Sequence, residues 1–397
     1  MRNAVIIDGA RTAIGKMGGT LKDIEVDFLS EKVMREAIKR SKIQGADVEE
    51  VVWGHSKQTS DVPNLARLAS LRAELPIEVP GYTVHRQCGS GLQAINNAAQ
   101  QIICGLSDIV LAGGAESMSN APYYLRKARY GYEAGNAELV DSNTESQPRS
   151  QPIEVYGHLT MGLTAENLAD KYSISRQEQD HFSMESQQKA FDAIEAGKFK
   201  NEIVPYEIKM RKGNILFDSD EHPRLTSFEK LSGLKPVFKK GGTVTAGNSS
   251  GRNDGAAALV MMSEEEAKKR ELAPRLRILS QAAVGVSPEI MGIGPVPATI
   301  KALKLAGLTM DDIDLIELNE AFAAQTIAVV KELKIDAKKL NVNGGAIALG
   351  HPIGGTGAIL TIKIMNELER RGGRYGLITA CIGGGQGIAT IVENLRV

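Results

Sequence analysis

Three cysteines are spread over the 397 residues, and two of them open glycine-rich turns. In "HRQCGSGLQAI", residues 85–95, Cys88 stands directly before a Gly-Ser-Gly turn and a helical pattern. A thiol at a helix start meets the positive end of the helix dipole, which favours the nucleophilic thiolate and lowers the pKa. The alternative reading is a small buried hydrophobe, as most free cysteines are. In "CIGGGQG", residues 381–387, Cys381 follows the apolar run "LITA". With an ordinary pKa of about 8.5, a thiol there could exchange protons near neutral pH. The glycine N–H groups after it could form an oxyanion hole. His351 lies in "NVNGGAIALGHPIGGTG", residues 341–357, pinned between Gly350 and Pro352. A lone histidine is usually structural, but one beside a thiol can take its proton. Asn319 begins "NEAFAAQ" after the apolar run "IDLIEL". Its amide could orient a water or a carbonyl, or cap the next helix.

What must position these groups is visible as a repeat. "REAIKRSKIQGADVEEVVWG" at 35–54 aligns without a gap to "IKALKLAGLTMDDIDLIELN" at 300–319. Ala37 meets Ala302, Asp47 meets Asp312 and Val51 meets Ile316. Nearly the same offset sets "CGSG" at 88–91 against "IGGTG" at 353–357. It also sets "DIVLAGGAES" at 108–117 against "GLITACIGGGQG" at 376–387. The chain therefore reads as two related α/β halves, with mainly parallel sheets covered by helices. Symmetry places the two glycine-rich turns side by side and His351 near Cys88. Between the halves, residues 121–249 are poor in apolar runs. Within them "SISRQEQDHFSMESQQKAFDAIEAGKF" predicts an amphipathic helix with a serine cap. From Lys198 to Lys240 there are ten Lys/Arg against six Asp/Glu. That stretch is either a solvated insertion or an arm that holds an anionic ligand.

Composition narrows the class. Apolar content is 42%, charged content 24% and the formal net charge −1. That balance gives no field for nucleic acid or a membrane surface. The cysteines are too few and scattered for a disulfide framework, and no C-x2-C spacing suggests a metal. No apolar run of membrane-spanning length occurs. The N-terminal stretch enters a strand at once and "ENLRV" is no peroxisomal tripeptide, so a cytoplasmic location is expected.

Taken together, "ARTAIGKMGGTL", "CGSGLQA", "AGGAESMS", "MGLTAENLA", "TAGNSSGRNDGAAA", "NEAFAAQ", "NGGAIALGHPIGGTGA" and "CIGGGQG" resemble the thiolases along the whole chain. The resemblance implies a five-layered αβαβα core of two repeated halves. It implies an N-terminal half at 1–120 completed by 250–272, a CoA-binding loop domain at 121–249, and a C-terminal half at 273–397. It implies that Cys88 accepts the acyl group, His351 activates it and Cys381 serves as acid and base. Asn319 would hold the water of one oxyanion hole, and the N–H groups of Cys88 and Gly383 would form the other. Ser250, Arg224, Met161, Met291, Phe322, Ala246 and Leu234 would contact CoA or the acyl group. No metal and no cofactor are expected beyond the substrates, CoA and acyl-CoA. The assembly would be a homotetramer, a dimer of dimers.

Within the family, "CIGGGQG" and "MGIGP" resemble the short-chain group, which interconverts two acetyl-CoA with acetoacetyl-CoA and CoA. The alternative is a 3-ketoacyl-CoA thiolase of fatty-acid β-oxidation with a longer chain range. Thr160 stands where short-chain members often carry a histidine, and His85 where an asparagine is common. A cysteine hydrolase would need no second thiol. A non-catalytic CoA-binding module would be expected to have lost Cys88, His351 or Cys381.

Overall fold

The computed structural model describes residues 2–210 and 213–397, so Arg211 and Lys212 of the basic stretch lie outside it. The first half runs β1 (Ala4–Arg11), α1 (Val26–Arg40), β2 (Glu50–Gly54), α2 (Leu65–Arg72), β3 (Gly81–Val84), α3 (Ser90–Cys104) and β4 (Ile109–Ser117). The intervening region contains α4 (Met161–Lys171) and α5 (Arg176–Glu195), after which β5 (Asn253–Ser263) returns to the core. The second half runs β6 (Leu276–Gly285), α6 (Pro295–Ala306), β7 (Leu315–Leu318), α7 (Ala323–Leu333), α8 (Thr356–Arg371), β8 (Tyr375–Ile382) and β9 (Gln386–Asn394).

The strands form one sheet in the order β7-β8-β9-β6-β1-β5-β4-β2-β3. The halves join where β1 and β6 pair antiparallel, Val5 with Arg277 and Ile6 with Leu276. Outward from this seam the order is mirrored. The counterpart of β3 in the second half is reduced to one bridge between Ile316 and Leu340. Helices α3 and α8 pack together between the two parts of the sheet. Helices α1 and α2 cover the outer face of the first half, and α6 that of the second, giving five layers. Central layers must be apolar all round. Accordingly β4 and β5 are buried at every residue, and α8 from Thr356 to Met365.

The expectation of mainly parallel pairing is corrected. Only β2 with β3, β2 with β4, and β7 with β8 run parallel. The remaining core ladders are antiparallel. The cause lies in the connections. A tight turn at Gly384 and Gly385, φ +86° and +81°, folds β9 back on β8, and β5 comes back from the insertion between β1 and β4.

The two glycine-rich turns do lie side by side. A Cβ at Gly91 would stand 2.7 Å from the carbonyl oxygen of Gly354, so only glycine lets the starts of α3 and α8 meet. The insertion is held to this core by a buried cation. The Arg11 guanidinium, fully buried, donates to Glu202 at 3.0 Å and to both oxygens of Asp220 at 2.8 and 3.0 Å. Removing one partner of such a group typically costs ~3–5 kcal/mol. The serine cap is present: Ser175 Oγ accepts from the Glu178 N–H at 3.2 Å, and Glu178 accepts the Ser175 N–H at 2.7 Å.

Candidate active site

Cys88 is aimed by the turn before α3. Gln87 adopts φ +45°, a left-handed conformation that a non-glycine residue holds only when its surroundings impose it. Ser90 imposes it, with Oγ accepting the Arg86 N–H at 2.9 Å and donating to the Gln87 carbonyl at 2.7 Å. Burial pushes the Cys88 thiol up from its ordinary pKa, while the N–H groups of Gly383 and of Cys88 itself pull it down. The lowering expected from the helix start is therefore corrected: desolvation dominates, and the resting group is the thiol. These two N–H groups are the donors that an oxyanion formed beside Cys88 would need.

His351 is held as a neutral base. Its backbone N–H donates to Asn253 Oδ1 at 2.9 Å. Its Nδ1 is 2.6 Å from Thr356 Oγ1, and that hydroxyl donates its own proton to the Pro352 carbonyl at 3.0 Å. Thr356 must then accept from Nδ1–H, which leaves Nε2 as the acceptor nitrogen. Burial pushes the imidazole pKa down to about 4, against a weaker upward pull from Glu116. Asn319, fully buried at the end of β7, places its Nδ2 3.5 Å from His351 Nε2. Its Oδ1 has no protein partner among the described residues. The capping role falls away, because α7 starts at Ala323 with Phe322 as its N-cap.

Cys381 stands one residue before the end of β8, fully buried. Burial pushes its thiol far up, and charge on Cys88 pushes it further. The expected neutral-range titration is thus corrected: Cys381 rests protonated and is suited first to giving a proton. A pocket of about 880 Å3, its open mouth included, is lined by Cys88, His351, Gly383, Ser250, Met161, Met291 and Phe322. Asn319 and Cys381 are fully buried and do not line it; Asn319 touches the lining residue His351, and Cys381 lies close enough to Cys88 to feel its charge. Arg224, Ala246 and Leu234 are exposed and do not line it.

Sequence reasoning missed Glu116, which sits inside a quoted motif but reads there as part of a strand. It is fully buried and accepts from Ser56 N–H at 3.2 Å, Ser56 Oγ, Lys57 N–H at 3.0 Å and Gly354 N–H at 2.9 Å. His55 Nε2 lies 3.1 Å from it. Burial alone would raise its pKa, but His55 and these donors hold it down at about 2. One carboxylate thereby ties β4 and the loop after β2 to the turn carrying His351. Two polar residues after a buried strand, His55 and Lys57, were the available signal.

Family models for the thiolase N-terminal and C-terminal domains match residues 4–265 and 272–394. The chain belongs to the thiolase family. It is 49% identical to an acetyl-CoA acetyltransferase of Syntrophomonas wolfei, over 99% of this chain and all of the relative. It is 50% identical to beta-ketothiolase BktB of Cupriavidus necator, with the same coverage. The crystal structure of the Bacillus anthracis acetyl-CoA acetyltransferase superimposes with a TM-score of 0.96 at 48% identity, over 99% of each chain. Human mitochondrial 3-ketoacyl-CoA thiolase in complex with CoA superimposes at 0.94 and 46%, over 99% of this chain and 98% of that one. This thiolase is therefore an acyltransferase. Among its described residues no helix is long and apolar enough to cross a membrane.

Proposed function

We propose that this thiolase is an acetyl-CoA C-acetyltransferase that interconverts two acetyl-CoA with acetoacetyl-CoA and CoA through an acetyl-Cys88 thioester. The observation carrying this reading is the meeting of Cys88, a neutral His351 and Gly383 in one pocket, with a protonated thiol on Cys381 behind it. In thiolysis, His351 Nε2 takes the Cys88 proton as sulfur attacks the C3 carbonyl. The C2–C3 bond breaks, its electron pair leaves as the enolate of acetyl-CoA, and Cys381 supplies the proton. CoA sulfur then takes the acyl group from Cys88. In reverse, Cys381 takes a proton from acetyl-CoA and the carbanion attacks acetyl-Cys88. The N–H groups of Cys88 and Gly383 serve one oxyanion, and Asn319 with His351 the other.

On this reading residues 121–249 form the loop domain that receives CoA, with Ser250, Met161, Met291 and Phe322 along the arm and acyl group. Arg224, Ala246 and Leu234 could reach only the part of CoA that leaves the pocket. A homotetramer fits the exposed Tyr123, Leu125, Tyr130 and Leu139 on the insertion and the outer edge of β3, while a place in the cytoplasm and in fatty-acid metabolism goes with the acyl-CoA reading itself. A longer acyl range is the second reading, and the observation behind it is Thr160, whose Oγ1 caps α4 by accepting the Leu163 N–H at 3.3 Å. Incubation with acetyl-CoA should add about 42 Da to the Cys88 peptide, the mass of an acetyl group replacing a proton. Equal acetylation of Cys88→Ala would overturn the assignment. The kcat/KM for thiolysis across 3-ketoacyl chain lengths decides between the two ranges.

A further inference from the structure

Beside Cys88, the wall of the pocket carries a lysine. Lys57 lines it together with Met118, Asn143 and Ser146, while Ser249, Ser250 and Phe238 line the part beside Phe322. The Lys57 side chain is buried, the whole residue 8% exposed. Its Nζ donates to Ser146 Oγ at 2.6 Å and to the Ser142 carbonyl at 3.3 Å. An ammonium has three protons to donate, so one has no protein acceptor among the described residues. No carboxylate of those residues lies within 4.0 Å of it. Glu116 accepts the Lys57 backbone N–H, but its two oxygens are occupied by the donors already described. A second cation, Arg252, lines the same pocket, with a guanidinium nitrogen 3.7 Å from Asp141.

A buried ammonium with no carboxylate in contact is expensive, and structures keep one mostly where an anion completes it. Burial pushes the Lys57 ammonium down from the ordinary lysine range, and charge on Glu116 and Cys88 pulls it back up. An arriving carboxylate would do the same at shorter range. Two ligand parts must come beside Cys88, the acyl group and the sulfur end of the uncharged pantetheine arm, and of these only the acyl group can end in a carboxylate.

We propose that Lys57 reads the far end of the acyl chain, and that this thiolase accepts short 3-oxoacyl-CoA substrates ending in a carboxylate. The proposal rests on Cys88 being the acyl acceptor. Cys88 sulfur bonds to C3, the C2–C3 bond breaks, and acetyl-CoA leaves as its enolate and is protonated. The carboxyl-terminated acyl group stays on Cys88 as a thioester, its carboxylate on Lys57 Nζ, until CoA sulfur removes it. No oxidant or further reactant is needed.

The test compares two six-carbon substrates, 3-oxoadipyl-CoA, which ends in a carboxylate, and 3-oxohexanoyl-CoA, which ends in a methyl. The wild-type enzyme should favour the first in kcat/KM by ~10-fold or more, the lower end for a charge-assisted hydrogen bond. Lys57→Met should remove that ratio, and Lys57→Arg should retain most of it. A wild-type ratio at or below one, or an unchanged ratio in Lys57→Met, overturns the proposal. Should Lys57→Met not fold, acylation of wild-type Cys88 decides. Succinyl-CoA (about +100 Da) should then react faster than butyryl-CoA (about +70 Da), again as acyl-enzyme. Activity on the alkyl substrate alone refutes the Lys57 assignment and leaves the thiolase reading intact. No acyl-Cys88 from any of these donors refutes the thiolase reading itself.

Discussion

Glu116→Gln should destabilise the fold at neutral pH by about 3 kcal/mol, and a count of hydrogen-bond donors falls in the same range. The Glu116 pKa is held at about 2 against an ordinary value of 4.5. At 1.36 kcal/mol per unit, that difference amounts to about 3 kcal/mol of stability. The folded pKa lies below the unfolded one, so the contribution is full above about pH 4.5 and is lost as pH falls toward 2. Counting donors gives a similar answer. Whichever way the amide faces, its NH2 meets at least two groups that donate to the carboxylate: Lys57 N–H and His55 on one side, Ser56 and Gly354 N–H on the other. Each donor left unpaired costs ~1–3 kcal/mol. Trp53 is the sole tryptophan, fully buried on β2 two residues before His55, and its fluorescence reports unfolding there. Urea unfolding of both proteins should show the gap at pH 7, narrowing between about pH 4.5 and 2. A gap below about 1 kcal/mol at pH 7, the scale of an ordinary hydrogen bond, or a gap that ignores pH would refute the reasoning.

Other outcomes follow from the same geometry. Cys381→Ser should depress deuterium exchange at the acetyl-CoA methyl by ~100-fold or more while acetyl exchange between acetyl-CoA and CoA falls far less; His351→Ala should abolish the latter. Equal losses in Cys381→Ser would mean that the two thiols act as one unit. With its thiol pushed up by burial, Cys88 should be alkylated by iodoacetamide ever faster as pH rises through 9; a rate already level at pH 7 would contradict this. Arg224→Ala should raise KM for CoA and weaken its salt dependence, since an exposed charge contact is screened; an unchanged KM at low ionic strength would mark Arg224 as solvated surface.

The two halves were legible because both glycine-rich turns and the strands after them recur at one offset. The pairs α1 with α6, α3 with α8 and β4 with β8 all fall where the aligned windows lie. Strand direction was not legible. "GAAALVMMS" in β5 and "IVLAGGAES" in β4 are equally apolar runs, and a strand buried on both faces carries no mark of which neighbour it joins. Cys88, His351 and Gly383 stood out because chemistry and glycines coincide at turns. The protonation states of Cys88 and His351 did not, because desolvation depends on everything packed around a group, and only the helix start is local. Glu116 escaped for a related reason: its donors come from segments about 60 and 238 residues away.

The place of β5 between β1 and β4 bears on how the chain is made. During synthesis, the first 120 residues emerge with a slot in their sheet, and its filler, Asn253–Ser263, follows more than 130 residues later. Until then β1 and β4 present bare edges to the cell, the condition that invites pairing with another chain. Even a filled slot leaves α3 without α8, its partner in the middle layer. The first half cannot settle early and wait for the second, so vectorial domain-by-domain folding gives way to one late, long-range closure. A ribosome stalled near residue 250 should therefore hold a protease-sensitive chain, and one released past residue 394 should become resistant in a single step.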